Sequence, residues 1–159
     1  MRIPVSLVTF FDKSNQWFYS LTGGRFGGQL LMFSMLLLHT TGRKTGQNRT
    51  HTLLYLKDGE NVVICASNDG QEHHPGWYWN LQDNPRARVQ TGRKTYDVIA
   101  QEAEGEEYKR LWQRFLKTTP LYAGHRKRTS RHFPILVLKP ATPEDLISSV
   151  PTGDKDAHV

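Results

Sequence analysis

Apolar residues in this chain fall into short runs broken by glycine, proline and charge, and the character of the runs changes along the sequence. Over residues 3–20, Leu7, Phe10, Phe11, Trp17 and Phe18 form an apolar set with Asp12, Lys13 and Asn15 between them, which predicts an N-terminal helix. Such a helix packs on its own domain or touches a membrane or a partner, and the pattern leaves both open. Gly23, Gly24, Gly27 and Gly28 then interrupt the chain. Residues 30–40 are mostly apolar, and periodicity alone does not separate a buried strand from a helix there. Residues 50–57 read as a strand, Asp58-Gly59 as a hairpin turn, and residues 61–66 as the β-branched return strand. Pro75 marks the start of a short helix to about Gln82, which Asn84-Pro85 ends. Residues 86–90 and 94–101 read as a second strand pair. Tyr108, Leu111, Trp112 and Phe115, at i, i+3, i+4 and i+7, predict an amphipathic helix over residues 104–117. A polar loop over 118–131 precedes a last strand at 135–138, and Pro143 and Pro151 suggest a loose tail. Strands in the middle with one long and one short helix make the expected class α+β.

Length and charge narrow the picture. A chain of 159 residues fits one domain with a sizeable core. The net charge is +6, and it is concentrated: from Ala141 onward Glu144, Asp145, Asp154 and Asp156 face only Lys155. Such a surface suits an anionic partner, whether a polyanionic cofactor, an acidic lipid surface or a nucleic acid. No nucleic-acid-binding module is recognisable, so no nucleic-acid partner is expected. The lone Cys65 excludes an internal disulfide framework and sits in an apolar run, as an inert thiol would. Arg2 is followed by a polar-interrupted stretch rather than a secretory signal, and the apolar run at 30–38 is too short to cross a bilayer. The expected setting is the cytoplasm, with peripheral contact at the inner membrane face through the N-terminal segment left open.

The densest chemistry lies in residues 41–49, where Gly42 and Gly46 bracket Arg43, Lys44 and Thr45, and Arg49 follows. Glycines allow close backbone approach, and successive N–H groups in such a turn form an anion-binding concavity. The loop reads as a cradle for phosphate or carboxylate, with a solvated hairpin turn as the plain alternative. It is not a Walker A loop, because the glycine spacing is shorter and a strand follows rather than a helix. Thr41-Gly42-Arg43-Lys44-Thr45 recurs as Thr91-Gly92-Arg93-Lys94-Thr95, without the following Gly and Arg. The second copy reads as a basic hairpin turn.

Two later segments give the loop a context: Ala66-Ser67 with Gly70, and Pro75, Trp77-Tyr78, Asn80-Leu81 and Asn84-Pro85. In this order, with the T-G-R-K-T-G-x-x-R loop, they resemble the deazaflavin (coenzyme F420)-dependent nitroreductase and quinone reductase family over about residues 36–139. The resemblance implies a split β-barrel of the FMN-binding, pyridoxamine-phosphate-oxidase-like kind, entered by a strand at residues 36–40. It divides the chain into an N-terminal helical segment (1–29), a barrel domain (30–140) and a tail (141–159). It implies coenzyme F420 as cofactor, a planar deazaflavin on an acidic tail of phosphodiester, lactyl and oligoglutamate groups. Arg43, Lys44, Thr45, Gly46 and Arg49 then face that tail, Lys44 and Arg49 foremost. Thr52, Leu53 and Leu54 line the ring side, Ala66, Ser67 and Asn68 end a strand beside it, and Gly76 and Trp77 open the neighbouring helix. Asn68 stands where relatives commonly carry Lys. Residues 118–131 lie over the cofactor face. There Tyr122 matches the family's central active-site tyrosine, while Thr119 and His125 stand where relatives often have Tyr. Tyr122, Ser67 and His125 are the candidate catalytic groups, His125 because an imidazole titrates near neutrality. Arg126, Lys127, Arg128 and Arg131 either steer an anionic substrate or are solvated.

The implied reaction is hydride transfer from reduced F420 to a small-molecule acceptor: a quinone, a nitroaromatic or an α,β-unsaturated carbonyl compound. The other readings are a split barrel binding FMN or haem, and a non-catalytic binder of fatty acid or lipid. Adjacent His73 and His74 lack the partners of a metal site, so no metal is expected. Either a monomer or a homodimer is compatible with the sequence.

Overall fold

The computed structural model describes residues 29–30 and 33–147. The N-terminal helix expected over residues 3–20, and any membrane contact it makes, lie outside them. Eight strands form one antiparallel sheet: β1 (Gln29–Leu30), β2 (Phe33–Thr41), β3 (Asn48–Leu54), β4 (Leu56–Asp58), β5 (Asn61–Cys65), β6 (Arg86–Thr91), β7 (Lys94–Glu102) and β8 (Ile135–Pro140). The helices are α1 (Gly76–Asp83), α2 (Gly105–Thr118), α3 (Leu121–Arg126) and α4 (Pro143–Ile147). The run at 30–40 that periodicity left open is a strand from Phe33 onward.

The sheet runs β1-β2-β6-β7-β8-β5-β4, and β3 pairs with the far side of β2. β3 and β4 are nearly continuous, meeting at Tyr55, whose N–H donates to the Ser34 carbonyl at 3.0 Å. One bent stretch of chain therefore lies on β2 at its start and on β5 at its end, which closes the sheet into a barrel. The closure is incomplete. β4 pairs with β5 at Leu56↔Val63, but among the described strands β3 pairs only with β2. The barrel is split between the edge of β3 and the turn that follows β5.

Alternation along the strands sorts two cores. Leu36, Leu38, Val62, Ile64, Val89, Val98, Leu136 and Leu138 fill the interior together with Trp77, Tyr78 and Leu81 of α1. The opposite faces of β5 and β8 carry Val63, Cys65, Ile135 and Val137, on which Leu111 and Phe115 of α2 and Tyr122 of α3 pack. Fully burying a side chain such as Phe115 stabilises by about 1.5–3 kcal/mol. Arg110 grips both oxygens of Asp58 (3.0 and 2.8 Å) and Arg114 adds a 2.7 Å contact, so α2 is tied to the β4–β5 hairpin as well. These contacts hold the Asp58 carboxyl below the usual carboxylate range, the Arg110 hydrogen bond contributing most. Residues 118–131, read as a loop, contain α3, which starts after Pro120 and packs Tyr122 inward. Tyr78 and Leu81 are buried, whereas Trp79 between them in α1 is exposed.

Candidate functional site

The basic loop is the β2–β3 connection, residues 42–47 between the paired Thr41 and Asn48. Gly42 N–H donates to Gln47 O (2.7 Å), and Thr45 and Gly46 N–H donate to Gly42 O (3.3 and 2.7 Å). Gln47 N–H donates to Thr45 Oγ1 (3.3 Å). Gly46 has φ +69°, the left-handed region where glycine is cheapest. Asn80 of α1 holds the loop from below: its Oδ1 accepts from Arg43 N–H and its Nδ2 donates to Thr40 Oγ1, both at 3.1 Å. Most loop N–H groups are thus consumed within the fold. This corrects the expectation of a backbone anion cradle, since the loop offers side-chain charge instead. Arg43, Lys44 and Arg49 are exposed, and among the described residues none has a carboxylate within 4.0 Å. Like charges held together without counterions favour a bound polyanion.

The second copy differs as expected. Gly92-Arg93 is a two-residue turn between Thr91 and Lys94. Because β6 runs antiparallel to β2 with Gln90 opposite Leu37, that turn lies at the opposite end of β2 from the basic loop.

The turn after β5 is held by Arg131, one of the four cations that the sequence left as either steering an anionic substrate or solvated. Arg131 donates through Nη1 to Ala66 O (3.2 Å), through Nη2 to Ser67 O (2.7 Å) and through Nε to Gln71 O (2.9 Å). Its Nη1 also meets His74 Nδ1 at 2.7 Å, and its guanidinium lies 4.9 Å from the Phe133 ring centroid. Arg128 donates to Asp69 O (2.9 Å) and Arg126 to Arg131 O (2.6 Å), so of the four cations three are structural ties. No sequence motif announces this clamp, because its acceptors are backbone carbonyls 60 or more residues away. Burial, with Arg131 nearby, pushes the His74 imidazole below its ordinary value, consistent with its accepting the Arg131 hydrogen bond.

Ser67 and His125, named as candidates from separate parts of the chain, are brought together. Ser67 Oγ lies 3.0 Å from His125 Nδ1, and His125 Nε2 lies 3.5 Å from Asp69 Oδ1. Burial lowers the His125 pKa, the Asp69 carboxylate raises it and Arg128 lowers it, with a net downward shift. Tyr122 points inward: the residue is 6 % exposed, and its ring packs edge-on against Phe115 (4.9 Å) and Trp112 (6.4 Å) and meets His125 at 5.8 Å. Burial raises its phenol well above the ordinary value.

The remaining candidates divide. Asn68 donates through Nδ2 to His73 O (2.9 Å), so its amide braces the turn. Ala66 is fully buried, and the Trp77 side chain packs in the core. Gly76 is exposed at the start of α1, and a Cβ there would meet nothing within 4 Å. Strand alternation turns Leu53 toward the interior and Thr52 to the other face, beside Leu37, so Thr52, Leu53 and Leu54 cannot line one wall with their side chains. Thr52 Oγ1 is buried without a hydrogen-bond partner, a polar atom suited to a ligand donor or acceptor. A cavity of about 600 Å³ lies elsewhere, on the outer face beside His39, Asn48, Arg86, Arg88 and Leu146.

Known proteins resemble this chain in sequence and in fold. Residues 11–140 match the family described as F420H(2)-dependent quinone reductase, a span that begins well before the motifs do. The chain is 40% identical over 141 residues to the F420H(2)-dependent quinone reductase of Mycobacterium tuberculosis strain H37Rv, covering 86% of this chain and 92% of that one. Among solved structures, an F420-H2 dependent reductase (FDR-A) aligns with TM-score 0.61 and 34% identity over 66% of this chain and 93% of its own. A structure described as a domain-swapped dimer aligns with TM-score 0.64 and 31% identity over 80% of this chain and 96% of its own.

Proposed function

The chain belongs to the F420H(2)-dependent quinone reductase family, and from that premise we propose how its residues serve the reaction. The protein is a reductase, and coenzyme F420 is its cofactor. When bound, the reduced deazaflavin supplies hydride. Everything else is binding, orientation and proton handling by the chain.

One observation carries the binding reading: Arg43 and Lys44, on a loop fixed by Asn80, and Arg49, just beyond it at the start of β3, are exposed and have no carboxylate partner among the described residues. They hold the phosphate and glutamate groups of the cofactor tail, Lys44 and Arg49 foremost. Thr52 Oγ1, buried and unpartnered, gives the cofactor a polar contact along β3, and the free edge of β3 faces the split. The residues present therefore fit an acidic, partly planar ligand. Ser67, on the far side of the split, donates its hydroxyl to the acceptor oxygen on which negative charge develops. Such a contact accelerates the reaction as far as it strengthens in the transition state.

The acceptor we propose is a quinone first, with nitroaromatics and α,β-unsaturated carbonyl compounds as further substrates, since each gains negative charge on oxygen as hydride arrives. A homodimer is the proposed assembly, in line with the matched domain-swapped dimer. The test is reoxidation of reduced F420 by a soluble quinone, followed anaerobically with and without the protein. Catalysed reoxidation is expected with quinone, and a slower one with a nitroaromatic. No quinone-dependent reoxidation would remove the reading.

A further inference from the structure

We propose that Asp69, His125 and Ser67 form a proton relay from solvent into the split of the barrel, completing quinone reduction there. This rests on the reductase reading above, and Asp69 is the new member.

Exposure falls along the three groups. The Asp69 side chain is 74% exposed, that of His125 13%, and Ser67 as a residue is 6% exposed. The chain of contacts, Asp69 Oδ1 to His125 Nε2 at 3.5 Å and His125 Nδ1 to Ser67 Oγ at 3.0 Å, therefore runs from water to the interior. The two imidazole nitrogens face opposite ends of that path, which suits a ring that takes up a proton on one side and releases it on the other.

The backbone is bent to make this arrangement. Asn68 and Asp69 have φ of +47° and +53°, left-handed values uncommon for a non-glycine residue. Such strain persists only where the surroundings over-determine it. Here they do. Arg131 holds the carbonyls of Ala66, Ser67 and Gln71, Arg128 holds that of Asp69, and Gly70 lies so close to α3 that a Cβ would come within 2.5 Å of His125 O. The strained turn and the helix carrying His125 are locked face to face, with the carboxylate and the hydroxyl on either side of the ring.

The step balances. A quinone that has accepted hydride is a hydroquinone monoanion. The Ser67 O–H bond breaks as a new O–H bond forms on the acceptor oxygen, and Ser67 Oγ takes the Nδ1 proton of the His125 imidazolium. The product is neutral hydroquinone beside neutral imidazole. His125 regains its proton from water, and the Asp69 carboxylate steadies the imidazolium through Nε2–H. The charged and titratable groups facing His125 are Asp69 from the turn, Arg128 just beyond α3 and Tyr122 one helical turn back. Only the carboxylate favours the protonated ring.

The experiment compares wild type, Asp69→Asn and His125→Asn. Asparagine is among the residues that best tolerate a left-handed backbone, so the turn survives the first change. Two readouts are taken: the His125 ring titration by NMR in the full chain without cofactor, and the pH profile of kcat/KM for a soluble quinone with reduced F420. In wild type, kcat/KM should fall as pH rises through the His125 midpoint. Asp69→Asn should move the NMR midpoint and the kinetic inflection to lower pH together, and lower kcat/KM at pH 7 about tenfold. His125→Asn should abolish the inflection and cost about a hundredfold, the low end of general acid–base catalysis. A His125 midpoint indifferent to Asp69→Asn, or a kinetic inflection that does not follow it, overturns the relay alone. A wild type that never reduces quinone from reduced F420 overturns the reductase reading and the relay with it.

Discussion

Asn80 holds both arms of the basic loop with one amide, accepting from Arg43 N–H and donating to Thr40 Oγ1, each at 3.1 Å. The residue is 8% exposed, so neither bond is replaced easily by water. α1 thereby sets where the charges of the loop stand. Asn80→Leu removes both bonds and leaves buried polar groups unpaired, at about 1–3 kcal/mol. Thermal melting should show a lower Tm, and F420 affinity should fall about tenfold although Asn80 carries no charge. Asn80→Asp keeps the acceptor to Arg43 and should lose less affinity than Asn80→Leu.

Arg131→Lys tests the clamp on the turn after β5. Lysine keeps the charge but cannot reach three carbonyls and an imidazole from one planar fork. A loss of about 2–3 kcal/mol is expected in denaturant unfolding, from buried carbonyls left short of donors. Amide exchange of residues 66–71 should quicken more than that of the β2–β6 ladder. Uniform quickening would show that Arg131 serves global stability only.

Acidification should destabilise the fold before the carboxylates titrate. His39, His74 and His125 all sit below the ordinary histidine value, burial being the chief cause in each. The folded protein protonates these rings at lower pH than the unfolded chain, which titrates near 6.5. Stability is therefore full above about pH 7 and declines as pH falls through 6.5 toward the lower folded values. Asp58 and Asp145, both depressed by hydrogen bonds, add a second loss below about pH 4. Melting curves at pH 7.5, 5.5 and 3.5 should give Tm values falling in two stages. A flat Tm between 7.5 and 5.5 would show that the three imidazoles are as free to protonate in the fold as outside it.

Gly70→Ala combines two penalties, a φ of +73° and a Cβ that would come 2.5 Å from a backbone oxygen on α3. A loss of at least about 2 kcal/mol is expected from a residue forced into left-handed backbone against a packed helix. Gly76→Ala, where a Cβ meets nothing within 4 Å, should cost nothing and helps the helix by a few tenths.

The strands, the hairpin at Asp58-Gly59 and the helix bearing Leu111 and Phe115 were legible because alternation, turn residues and helical spacing are local signals. The basic loop was legible as charge, and its later motifs identified the family. What escaped were contacts between residues far apart in sequence. Arg131 looks like one more cation in a basic stretch until the carbonyls of residues 66–71 are placed around it. The Ser67–His125 pair joins positions 58 residues apart, so no spacing rule finds it. α3 was missed because Pro120 and Gly124 punctuate a polar stretch that holds its helix by packing Tyr122 under α2. The same packing buries Tyr122, and Trp77 is likewise a core side chain.

The most direct test of the account is a pair of binding titrations, F420 and FMN, on wild type and on charge-removed variants. The account predicts that wild type binds F420 more tightly than FMN. Lys44→Ala and Arg49→Ala should each weaken F420 by about 1–3 kcal/mol, with the difference shrinking at high salt. Arg93→Ala and Lys94→Ala, on the matching turn at the other end of β2, should leave F420 affinity unchanged. FMN binding as tight as F420, or an equal response from the two basic turns, would contradict it.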